Sequence, residues 1–281
     1  MINGLTELIA HIGFPTHTFK SPMIYNPYFE HAGINAVVVP MGCQAPDYPA
    51  FLKSVFTLTN IRGALITMPH KVVTVGLLDE VTATVKVAGA CNAVKRLADG
   101  RLVGDMFDGA GFVRGVLRKG LQIQGARALV VGSGGVGCAI AASLAGAGVG
   151  AITLYDVHSA SAEALAQRIR TEYPEIEVFT GAKDPAGMDL VVNATPMGMN
   201  EGDPLPLDVS RLDAHTFVGE VVMRTEMTAF LTAAQARGCR VQVGTDMLFE
   251  QIPAYLEFFD LPTTSADELR ALARLAYQEH P

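Results

Sequence analysis

Between Ala128 and Tyr155 the chain runs for 28 residues without a single charge. A stretch of that length could cross a bilayer, but seven glycines interrupt it, at 132, 134, 135, 137, 146, 148 and 150. It divides into the run ALVV, a glycine turn that opens a small-residue helix, and the run AITLY. That is strand, turn, helix and strand, and strands buried on both faces of a parallel sheet read as continuous apolar runs. The segment predicts the heart of a parallel α/β sheet and excludes a membrane span.

The rest of the sequence agrees with an α/β class. The apolar runs AVVVPM (36–41) and GALITM (63–68) are separated by a helix-length connection containing Ala50 to Thr57, which suggests a βαβ arrangement. Further strands are expected at 127–131, 151–155, 189–193, 215–222 and 239–243, with helices between most of them, clearest at 160–172 and 226–237. Strand–helix alternation on this scale predicts a parallel, doubly wound sheet. The tail from Asp246 to His280 reads as helical, with apolar Leu248, Ile252, Tyr255, Leu256 and Phe259. A length of 281 residues suits two domains. The change of pattern divides them at 1–105, joined by C-terminal helices 246–281, and 106–245.

Composition narrows the function. With 21 Lys+Arg against 28 Asp+Glu, a net charge of −7 and no basic cluster, nucleic acid and anionic membranes are poor partners. The four cysteines, Cys43, Cys91, Cys138 and Cys239, lie far apart with no CxxC and no Cys/His pair at metal spacing. A disulfide framework or a metal site is therefore not expected, and a reducing cytoplasm fits. The start MINGLTELIAHIG has neither the basic residues nor the long apolar run of a signal peptide, which also points to the cytoplasm.

Gly132-Ser133-Gly134-Gly135-Val136-Gly137 follows the strand RALVV and opens the helix CAIAASLAGAG. Glycines at Gly132, Gly134, Gly135 and Gly137 suit a tight turn, close approach of backbone to a pyrophosphate, and helix–strand packing. Together with Val136 they form the expected phosphate cradle at a helix N-terminus. Asp156 ends the next strand, 19 residues beyond Gly137, near the spacing of an acid that binds the adenine ribose hydroxyls. A carboxylate there repels a 2′-phosphate, and Val157-His158-Ser159-Ala160-Ser161 offers no Arg or Lys to neutralise one. The reading is NAD in preference to NADP. Asp156 could instead cap the helix that begins near Ser159, a role compatible with the first.

At this point a family resemblance emerges, carried by six ordered motifs. Gly13-Phe14-Pro15 through Lys20-Ser21-Pro22 resembles the GxP…HSxSP segment of the shikimate dehydrogenase family. Thr67-Met68-Pro69-His70-Lys71 resembles its TxPxK, Ala88-Gly89-Ala90-Cys91-Asn92 its AGAxN, and Gly104-Asp105 through Asp108-Gly109 its GxNxDG. Asn193-Ala194-Thr195-Pro196-Met197-Gly198-Met199 resembles the NATxxGM loop, and Gly244-Thr245-Asp246-Met247-Leu248 with Gln251 resembles GxxMLxxQ. The resemblance implies an N-terminal α/β substrate domain, a Rossmann-type dinucleotide domain, and C-terminal helices that pack back on the first. It also implies hydride transfer between a nicotinamide cofactor and 3-dehydroshikimate/shikimate or a similar small cyclic hydroxy acid.

Site residues follow from the same motifs. The resemblance makes Lys71 and Asp108 a catalytic pair and Ser21, Thr67, Asn92 and Gln251 substrate contacts. It places Asn193, Thr195, Pro196, Met197, Gly244 and Met247 around the cofactor. Hydride transfer needs a group that handles the hydroxyl proton, and a lysine fixed by a carboxylate can do so. Family members commonly use NADP and carry an Asn-Arg-Thr-like sequence where this chain has Asp156-Val157-His158, which sharpens the NAD reading. Two positions depart in the substrate pocket: Phe19 replaces the first serine of SxS, and Met223 replaces the tyrosine of the segment here written Glu220-Val221-Val222-Met223-Arg224-Thr225. These departures keep a quinate or aminoshikimate dehydrogenase open, and beside it a non-catalytic NAD-binding regulatory protein. A monomer or a homodimer is expected.

Overall fold

In a computed structural model that describes residues 2–275, the uncharged stretch forms the strand Arg127–Val131, the helix Gly135–Gly146 and the strand Ala151–Tyr155. Among the described residues no helix is long and apolar enough to cross a membrane. The chain divides into two compact units. The first comprises the chain up to Thr82, Ala90–Asp105 and the chain from Ile252 on; the second comprises Ala83–Gly89 and Met106–Gln251.

The first unit is built on the strands β1 (Glu7–Gly13), β2 (Ala36–Gly42), β3 (Ile61–Ile66), β4 (Glu80–Val81), β5 (Ala93–Arg96) and β6 (Leu102–Asp105). They form one sheet in the order β2-β1-β3-β5-β6-β4. β1 pairs in parallel with both β2 and β3, so the two runs expected to form a βαβ unit are parallel strands on either side of β1. The helix between them is Tyr48–Val55. Contrary to the expectation of uniformly parallel strands, β5 is antiparallel to β3 and to β6. The cause is local: only Leu97–Arg101 link β5 to β6, too few residues for a crossover, so the pair closes as a hairpin. Ile9, Ile12, Ile24, Tyr25, Phe29 and Phe259 fill the core. The C-terminal segment is fixed to β3 by Arg62, whose Nε donates to the Phe259 carbonyl at 2.6 Å and whose second guanidinium nitrogen donates to that of Asp260 at 2.7 Å.

The second unit adds β7 (Arg127–Val131), β8 (Ala151–Tyr155), β9 (Glu177–Thr180), β10 (Leu190–Asn193), β11 (Phe217–Glu220) and β12 (Arg240–Gln242). Their order is β12-β11-β10-β7-β8-β9, and every pair is parallel. Read from the β9 edge this is 3-2-1-4-5-6, the doubly wound Rossmann order, with the strand order reversing between β7 and β10. Leu129, Val131, Val191, Val218, Phe230 and Leu231 form the core on one face. The return to the first unit occurs at Ile252 and not at 246. The helix Gly244–Phe258 carries this join, and its first half belongs with the second unit: Lys119 Nζ donates to Asp246 Oδ2 at 2.6 Å. A Cβ on Gly111 would lie 2.6 Å from the Met247 carbonyl.

Asp108 opens the helix Asp108–Arg118, which lies against Gly135–Gly146. The next residue, Gly109, faces that helix so closely that a Cβ would strike the Ala139 carbonyl. Gly109→Ala is expected to force the two helices apart, destabilising the protein by about 1–3 kcal/mol and displacing Asp108. Denaturant unfolding checks the loss; an unchanged midpoint would show that the contact relaxes freely.

Candidate active site

The glycine turn divides its labour. Gly132 sits at φ +104°, donates its N–H to the Tyr155 carbonyl at 2.7 Å, and a Cβ there would come 2.7 Å from the Ala194 carbonyl oxygen. A Cβ on Gly137 would run into the Gly132 carbonyl. These two glycines bring helix, strand and neighbouring loop together. A Cβ on Gly134 or Gly135 would meet nothing within 4 Å, so the N-terminus of Gly135–Gly146 faces open space. An exposed helix N-terminus with free approach suits a pyrophosphate.

Asp156 is held against that turn. Its Oδ2 accepts the Ser133 N–H at 2.7 Å and its Oδ1 the His158 N–H at 2.8 Å. It does not cap the following helix: the N-cap of Ser159–Glu172 is His158, without a side-chain cap. A cleft of about 510 Å³ lies here, lined among others by Gly132, Gly134, Asp156, Lys183, Thr195 and Leu205. A second, of about 380 Å³, shares Gly134, Thr195 and Pro196 and adds Met199, Met223 and Arg224. The two make one groove along the glycine turn at the switch point of the sheet, where open α/β sheets bind ligands. Asp156 lines one end of this groove and Met223 the other.

Lys183 was not singled out from the sequence. It follows β9, itself a four-residue edge strand that apolar patterning does not reveal. Its Nζ donates to the Pro206 carbonyl at 3.0 Å and lies 5.3 Å from the centre of the Tyr155 ring. Arg224 donates to Asn200 Oδ1 at 3.2 Å on the exposed surface.

Asn193, at the end of β10, acts on the loop that follows. Its Oδ1 accepts from Thr195 N (3.1 Å) and Thr195 Oγ1 (2.6 Å), and its Nδ2 donates to the Met197 carbonyl at 3.0 Å. The amide therefore shapes the 193–199 loop, leaving the exposed Pro196 and half-buried Thr195 and Met197 to face the groove. Next to it, Glu220 is fully buried and accepts from Thr228 Oγ1 at 2.9 Å. Gly244 packs against the Val222 carbonyl, so the loop carrying Met223 is braced by the start of the last long helix, with Met247 buried one turn on.

Asp108 and Gln251 both lie in the second unit; Asp108 is buried, and Gly111, one turn along its helix, presses on the Gln251 backbone. Gln251 Oε1 is buried without a hydrogen-bond partner among the described residues. Lys71, Thr67, Asn92 and Ser21 belong to the first unit. Thr67 follows β3, its N–H bonded to the Ile12 carbonyl at 2.9 Å, while the Lys71 carbonyl accepts the Cys91 N–H and the Asn92 carbonyl the Ile66 N–H, each at 2.8 Å. That ladder draws Thr67, Lys71 and Asn92 to one place. His70 secures it: buried, its ring stacks on Tyr48 at 3.9 Å and its Nε2 meets the Cys43 carbonyl at 2.9 Å. Ser21 precedes the helix Pro22–Ala32 and makes no side-chain cap, leaving its hydroxyl out of the helix.

Comparison with known proteins places this architecture. A model of the shikimate dehydrogenase substrate binding domain matches residues 11–94, and a ThiF family model matches 115–181, across the glycine turn. A shikimate dehydrogenase (NADP(+)) from Rubrobacter xylanophilus is 34% identical over 254 residues, 89% of this chain and 89% of that one. The chain belongs to the shikimate dehydrogenase family. Among family structures, shikimate 5-dehydrogenase from Listeria monocytogenes in complex with shikimate and NAD superposes with a TM-score of 0.90 at 26% identity, over 96% of this chain and 97% of that one. A 5-ketofructose reductase of Gluconobacter sp. strain CHM43 reaches 0.88 at 26% identity, over 96% and 98%.

Burial pushes the Glu220 carboxyl up to about 7, against hydrogen bonds from Thr228 and Asn193 that favour the charged form. A raised value means that the folded state holds the proton more tightly than the unfolded one. The stabilisation is complete below about pH 4.5 and is lost as pH rises through 7. Glu220→Gln is expected to flatten this dependence, whose full size is about 3 kcal/mol. Unfolding free energies at pH 5 and 8 check it; equal pH slopes in both proteins would contradict it.

Proposed function

We propose that the protein is an NAD-dependent dehydrogenase that exchanges a hydride with a ring alcohol of the shikimate type, with Lys71 and Asp108 handling the proton. The observation that carries the cofactor reading is the anchoring of Asp156. Its carboxylate is fixed to the glycine turn by Ser133 N–H, beside the cleft wall, where an adenine ribose would present its hydroxyls. A fixed carboxylate accepts hydrogen bonds from a diol and repels a 2′-phosphate. Lys183, the lysine in that cleft wall, is engaged by the Pro206 carbonyl and the Tyr155 ring. The Rubrobacter relative is named for NADP(+), whereas the Listeria structure holds NAD, so the family contains both.

A bound nicotinamide supplies or accepts the hydride; the chain's own part is binding, orientation and the proton. In reduction, Lys71 Nζ protonates the carbonyl oxygen as it gains negative charge; in oxidation it removes the hydroxyl proton. The family motif gives Asp108 the partner role in the same proton chemistry. Thr67, Asn92, Gln251 and Ser21 offer neutral hydrogen bonds to the remaining ring substituents. The likeness to a structure named as a 5-ketofructose reductase supports a site defined by hydroxyl and carbonyl recognition.

Two experiments test this reading. Titration calorimetry is expected to show NAD binding at least tenfold more tightly than NADP, about 1.4 kcal/mol, and Asp156→Asn with Val157→Arg to move the preference towards NADP. Equal or tighter NADP binding would reject it. Lys71→Ala is expected to lower turnover about 10²–10⁴-fold while leaving NAD affinity nearly unchanged; full turnover in that variant would remove Lys71 from the chemistry.

A further inference from the structure

We propose that Phe19, backed by His11, closes the first unit to a substrate carboxylate and makes the preferred substrate a neutral polyhydroxylated ketone and its alcohol. This rests on the dehydrogenase reading above and names the substrate class for that site.

Phe19 is a fixed wall. Its ring is 8% exposed and stacks on the His11 imidazole at a centroid distance of 4.0 Å and an angle of 26°. On the other side a Cβ on Gly13 would come 3.0 Å from the tip of the ring and would strike the Thr67 methyl. The tip of the ring and the Thr67 methyl thus both lie beside Gly13 at the end of β1, on the C-terminal edge of the sheet, and Phe19 stands at the position where the family motif carries a serine hydroxyl. A phenyl ring in that place donates no hydrogen bond and takes up volume that a carboxylate would need.

The residue behind it does not restore a charge. His11 is buried on β1, and its Nδ1 has no hydrogen-bond partner among the described residues. Burial, reinforced by the positive charge of Lys71, lowers its titration to about 4, so the imidazole is neutral at physiological pH. An anion pressed against the Phe19–His11 plate would lose water and a charged hydrogen bond together, about ten- to a hundredfold in affinity. A neutral hydroxyl or hydroxymethyl group loses far less, and Ser21, two residues on and free of a capping bond, can still donate to it or accept from it.

The test uses the full chain with NAD and a matched pair: shikimate, and the analogue in which hydroxymethyl replaces the carboxylate. The wild type is expected to oxidise shikimate measurably but poorly and to favour the neutral analogue at least tenfold in kcat/KM, mainly through KM. Phe19→Ser is expected to lower KM for shikimate at least tenfold. A wild type that prefers shikimate, or oxidises it with low-micromolar KM, overturns the inference while leaving the dehydrogenase reading intact. Hydride transfer to neither compound overturns the dehydrogenase reading itself. The wild-type comparison decides the matter even if Phe19→Ser does not fold.

Discussion

The backbone of Gly137 lies against the carbonyl of Gly132, and the second unit depends on that contact. It lets the helix Gly135–Gly146 sit on β7 with no side chain between them, at the distance Rossmann packing requires. The same close approach sets Ala194 beside Gly132, so the loop after β10 borders the turn, and it brings Ser133 N–H to Asp156 at the end of β8. Three strand ends thus meet around one open helix N-terminus. A side chain at Gly132 or Gly137 would separate all three.

The first unit meets a different constraint. Lys71 stands on a short helix, Lys71–Val75, that could not hold its place alone. The hydrogen bonds from Cys91 to Lys71 and from Ile66 to Asn92, with the buried His70–Tyr48 stack, fix it to the sheet. Polar positioning on one side and the apolar Phe19–His11 plate on the other give this unit a chemically divided wall.

Much of the fold was legible because its central strands carry no charge. Arg127–Val131 and Ala151–Tyr155 lie where apolar runs bounded by glycine place them. Strands with fewer apolar residues were not: β9 has one buried side chain in four residues, and the β5–β6 hairpin is made of two four-residue strands, AVKR and LVGD, that each end in charge. Lys183 was hidden with β9, since nothing in its local sequence indicates that it lines a cleft with Asp156. The position of Asp156 just after β8 was legible from spacing, but its backbone partner, Ser133, was not. Asn193 stands out by its motif, and the structure shows its amide bonded to the loop that follows. His70 and His11 gave no signal, because a lone histidine in a strand or turn has no pattern of its own.

The central claim is that the groove along the glycine turn is a dinucleotide site read by Asp156. A crystal structure of the protein with NAD bound tests it most directly. The account predicts the pyrophosphate at the backbone N–H groups of Gly134 to Val136 and both adenine ribose hydroxyls within hydrogen-bond distance of Asp156. NAD bound elsewhere, or in this groove with its ribose hydroxyls held by other residues, would contradict it.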